Sequence, residues 1–113
     1  WITVTCTTSG LDFSTMDMTP FAPQTNDELL AYLDKNVTEA FESLKNTSDE
    51  QMQETWTMRN GEQVYMAESK IGTLRGMVFN HIWHHRGQLS VYLRLNDIPV
   101  PQIYGPSADE GQM

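Results

Sequence analysis

The sequence predicts an all-α fold built on two main helices, at about 27–46 and 69–95, joined by a short helix and a hairpin. Three observations carry this. Apolar residues recur at steps of three and four through both stretches. Ser or Thr stands before helical runs, with Glu or Gln three residues later at the first two starts. All five prolines lie outside the two stretches. The 113 residues make one domain, 1–113. An apolar content of 39% with three Trp, four Tyr and four Phe is enough to build a core and argues against disorder.

Residues 1–26 show no helical period and are rich in Thr and Ser. They read as an irregular segment attached to the core by Trp1, Phe13, Met16, Met18 and Phe21, with a short helix at the very start as the alternative. Thr25 and Glu28 form a capping-box pair that opens the first main helix, and Asp27 and Glu28 favour its positive end. Leu30, Leu33, Val37, Ala40, Phe41 and Leu44 then form one apolar face. Ser48 and Gln51 repeat the capping signal for a helix of one or two turns that ends before Trp56. Asn60-Gly61, between strand-like flanks, predicts a type I′ hairpin, although an extended loop fits equally.

From its N-cap Ser69 to Leu95 the second main helix spans roughly 40 Å. It holds four cations and no carboxylate, while the rest of the chain holds three cations and all fifteen carboxylates. Internal pairing with the acidic first helix explains that asymmetry better than nucleic acid does, because a chain of net charge −8 repels phosphate backbones. Beyond Leu95, Pro99, Pro101 and Pro106 prevent further helix, and an extended tail is expected to dock on the surface.

No apolar run approaches the roughly 20 residues of a membrane span, and Trp1–Gly10 resembles neither a signal nor a transit peptide. The expectation is a cytoplasmic protein that binds neither membrane nor nucleic acid. Lone Cys6 cannot form an internal disulfide and reads as a small polar or buried residue rather than a nucleophile. The sequons at Asn36 and Asn46 carry little weight without a secretion signal.

The chemistry-bearing residues lie close together. All three histidines fall in Asn80-His81-Ile82-Trp83-His84-His85-Arg86-Gly87-Gln88. Leu74, Val78, His81, His85, Gln88, Tyr92 and Leu95 alternate steps of four and three, the spacing of a packing seam, so His81 and His85 are expected to face a bundle interior. Residues four apart share a helix face, and two imidazoles so placed can reach one divalent metal. The motif alone is weak, since a polar core patch or solvent-facing rings would show the same spacing. His84 lies off the seam, and Asn80 and Gln88 could orient the rings or make ordinary helix hydrogen bonds.

The string from Leu74-Arg75-Gly76 through Asn80-His81 and His84-His85-Arg86-Gly87-Gln88-Leu89 to Tyr92-Leu93-Arg94, with the tail Val100-Pro101 to Tyr104-Gly105-Pro106, resembles the DinB-like family of four-helix metalloenzymes of the damage-inducible type. Leu29-Leu30 and Trp56-Thr57-Met58-Arg59-Asn60-Gly61 resemble that family's third helix and its connection, so the likeness covers nearly the whole chain. The resemblance implies a helical bundle with a divalent metal, nickel, zinc or similar, on three histidines, two of them matching His81 and His85. It also implies thiol-dependent transfer or hydrolysis with a low-molecular-weight thiol as partner, although many members have no assigned reaction.

No histidine precedes His81. The expectation is therefore a bundle lacking the first helix and the first metal histidine, completed by homodimerisation. The metal site would be incomplete in one chain. The alternative is a non-catalytic dimeric binding or scaffold protein.

Overall fold

The computed structural model describes residues 1–17 and 19–110, so the expected anchor Met18 and the last three residues of the domain lie outside the described residues. The chain divides into two compact units, Trp1–Val78 and the residues from Phe79 onward.

The first unit corrects the all-α, two-helix bundle: it is mixed α/β. Its elements are α1 (Ile2–Thr7), β1 (Gly10–Asp12), α2 (Asn26–Lys45), α3 (Asp49–Met52), β2 (Thr55–Asn60), β3 (Gln63–Ser69) and α4 (Lys70–Thr73). The strands form one sheet in the order β1-β2-β3, with β1 parallel and β3 antiparallel to β2. The segment read as irregular thus supplies the short initial helix given as its alternative, and a strand that was not expected. Gly10 makes the parallel pairing possible, because a Cβ there would collide with the Thr57 carbonyl of β2.

The local start signals hold. The Thr25 hydroxyl accepts from the Glu28 N–H at 3.2 Å, while the Glu28 carboxylate accepts from the Gln24 N–H at 2.7 Å, one residue earlier than a strict capping box requires. Ser48 and Gln51 form the full reciprocal box. The hairpin forms one residue out of register. Asn60 pairs with Gln63, so Gly61 and Glu62 are the turn residues, and Gly61 alone has positive φ, +58°. A positive φ confined to the first turn residue is the II′ pattern rather than I′. Pairing then slips between Met58 and Arg59, leaving Tyr65 as the extra residue of a bulge.

Trp56 is fully buried and its Nε1 donates to the Thr8 hydroxyl at 3.1 Å, which ties β2 to the end of α1. Lys70 is also buried, its ammonium donating to the Cys6 carbonyl and to Glu54 Oε2, both at 3.2 Å. That ties α1, α4 and the link between α3 and β2 around one cation and gives it two acceptors.

The second main helix is helical from Lys70 to Leu95 but not uniformly α. A π-helical segment, Leu74–Phe79, separates α4 from α5 (Asn80–Leu95). Gly76 sits at its centre, where the absence of a side chain eases a departure from α geometry.

In the second unit the tail folds back on itself. Asp109 pairs with Arg94 at 2.6 Å and accepts the Val100 N–H at 2.9 Å, and Glu110 accepts the Gln102 N–H at 2.6 Å. No helix among the described residues is long and apolar enough to cross a membrane.

Candidate functional site

The site stands on about two turns of α5, from His81 to Gln88. His81 and His85 project from the same face, their ring centroids 4.5 Å apart, and their Nε2 atoms are separated by 2.6 Å. Spacing alone produces this: four residues is one helical turn. On the other side of the His85 ring, Nδ1 lies 2.8 Å from the Gln88 amide oxygen. His84 meets the edge of His85 with centroids 5.2 Å apart and takes no part in the Nε2 pair. Among the described residues no hydrogen bond joins Asn80 to either ring, so of the two residues expected to orient the imidazoles the structure engages Gln88 with His85.

The burial expectation is corrected. Leu74 and Val78 of the predicted seam are buried, but His81, His85, Gln88, Tyr92 and Leu95 are exposed. Heptad spacing marks the face that can pack, and burial requires a second element over it. The expectation of metal binding is corrected as well, because the described residues do not assemble a metal centre. Among the described residues no group of three or more His, Cys, Asp or Glu side chains could hold an ion. The reasons are visible in the residues: α5 contains no carboxylate, its three histidines include one that turns aside, and Cys6 is buried in the other unit.

Sequence reasoning overlooked the π-helical turn immediately before Asn80. Segments of this kind often accompany functional sites, and the one available signal was Gly76 inside the helical stretch.

A model of the DinB family matches residues 1–112 of the chain. No curated protein and no solved structure matches it.

Proposed function

The chain belongs to the DinB family, and on that premise we propose that His81 and His85 are a two-imidazole half-site for a divalent transition metal, completed by a ligand from outside this pair. The observation that carries the reading is the 2.6 Å approach of the two Nε2 atoms. Two neutral imidazole nitrogens so close need a cation or a shared proton between them. The donor set suits nickel, zinc, copper or iron.

A metal held there would lower the pKa of a bound water or thiol. The reaction class we attach to it is the one the resemblance implies, transfer or hydrolysis dependent on a low-molecular-weight thiol. His81 and His85 supply nitrogen donors, and Gln88 holds the His85 ring. The catalytic residues are unassigned.

Calorimetric titration of chelator-treated protein with Ni²⁺ and Zn²⁺ tests the half-site. Saturable binding, lost in both His81→Ala and His85→Ala, is the expected outcome. Absence of binding, or binding that survives both substitutions, would refute the reading.

A second observation favours self-association. The apolar face of α2 stays open, with Leu30 57%, Leu33 54% and Phe41 69% exposed, and α5 exposes Trp83, Leu89 and Leu95 in the same way. We propose a homodimer in which these faces meet across the two copies. If the titration fails, this dimer serves as a binding or scaffold protein without chemistry.

A further inference from the structure

We infer that Gln88 is a positioning residue that sets the tautomer of His85. Its amide oxygen holds the imidazole proton on Nδ1, so the Nε2 lone pair of His85 faces His81 before any cation arrives. The consequence for metal affinity rests on the half-site reading above, whereas the tautomer assignment does not.

A neutral imidazole carries one N–H, and its other nitrogen is an acceptor. An amide oxygen only accepts. With Oε1 of Gln88 at 2.8 Å, Nδ1 of His85 is the donor and Nε2 is bare. With both rings neutral, the 2.6 Å contact across the pair then has one consistent assignment, in which Nε2–H of His81 donates to Nε2 of His85.

The pair is therefore asymmetric. His85 is already in the tautomer that a metal requires, while His81 must move its proton to Nδ1 before its Nε2 can bind a cation. The helix supplies this asymmetry through residue spacing. Gln88 lies three positions after His85 and so reaches its ring, and among the described residues no side chain holds Nδ1 of His81 in the same way. Partners that orient a metal-binding imidazole typically change affinity by about 10–100-fold. The exposure of this site, where water competes for Nδ1, places the effect near tenfold.

Long-range proton–nitrogen NMR of the metal-free chain at about pH 8.5, well above the ordinary histidine value of ~6.5, reads the tautomers directly. Wild type is expected to show His85 with the proton on Nδ1. Gln88→Ala should lose that preference, and Gln88→Glu, which keeps an acceptor oxygen, should retain it. Ni²⁺ titration should show affinity about tenfold weaker in Gln88→Ala and preserved in Gln88→Glu.

An Nε2–H tautomer at His85 in wild type would overturn the inference, because the amide would then present its NH₂ to the ring. Ni²⁺ binding of undiminished strength in Gln88→Ala would also overturn it, leaving the half-site intact. If wild type binds no Ni²⁺ yet its His85 tautomer depends on Gln88, the half-site reading falls and the positioning role stands.

Discussion

Asp97 shows how one residue can work against the structure it terminates. Helix α5 closes with the Ile98 N–H on the Leu93 carbonyl and the Asp97 N–H on the Arg94 carbonyl, the two bonds of a Schellman motif. That motif puts Asp97 at φ 54°, the left-handed region that glycine occupies without a steric penalty. Asp97→Gly should therefore raise stability by about 0.5 kcal/mol, the relief being partly offset by the greater freedom of glycine in the unfolded chain. Urea unfolding checks this, and a lower midpoint in the variant would show that the Asp97 side chain stabilises the turn in another way. The histidine pair shows the limit of what one residue type reveals. The i, i+4 spacing of His81 and His85 was legible because helix geometry alone brings the rings together, and Gln88 was legible as a neighbour for the same reason. Their exposure was not legible, because it depends on what lies over α5.

At the level of elements, the separation is between local and distant causes. The N-caps at Thr25, Ser48 and Ser69 are decided within four residues and were readable, whereas the hairpin was legible in place but not in register or turn type. Strand β1 is three residues long and pairs in parallel with a partner more than 40 positions away in the chain. Its composition, Gly-Leu-Asp, announces nothing, and the need for Gly10 emerges only when the Thr57 carbonyl faces it. Asp12 holds this strand to the hairpin. Its carboxylate accepts from the Ser14 hydroxyl and N–H and from the Gly61 N–H, and pairs with Arg59 at 3.1 Å.

These contacts, led by the Ser14 hydroxyl, lower its pKa from 3.8 to about 2. Because the folded value lies below the unfolded one, the contribution of Asp12 is complete above about pH 4 and is lost as pH falls toward 2. Asp12→Asn should lower the melting temperature at neutral pH, and the gap to wild type should close between pH 4 and 2. Asp17, Glu50 and Asp109 have lowered values too, so the difference between the two proteins, not the wild-type curve alone, isolates Asp12. A gap independent of pH would show that the carboxylate's charge does not hold the strand.

For the whole molecule, the charge distribution and the exposed apolar residues support the same association. Helix α2 carries Asp27, Glu28, Asp34, Glu39 and Glu42 against Lys35 and Lys45, and α5 carries no carboxylate and offers Arg86, its other arginine, Arg94, being paired with Asp109. A two-fold axis that lays α2 of one copy on α5 of the other repeats the contact twice and matches opposite charges both times. The shorter helix, α5, has 16 residues, giving a footprint of about 24 Å by 10 Å. Two such contacts, counted on both partners, bury about 1,000 Å², the lower end for a specific interface.

The expected species in sedimentation at micromolar concentration is thus a dimer of the 12.9 kDa chain in exchange with monomer. Phe41→Glu puts a carboxylate into the apolar face of α2 and should weaken association at least tenfold, a cost of about 1.4 kcal/mol. Raising salt should weaken it further if the charges align the helices, because screening acts on exposed pairs. A monomer at every concentration would exclude the dimer, and a dimer indifferent to Phe41→Glu would move the interface away from α2.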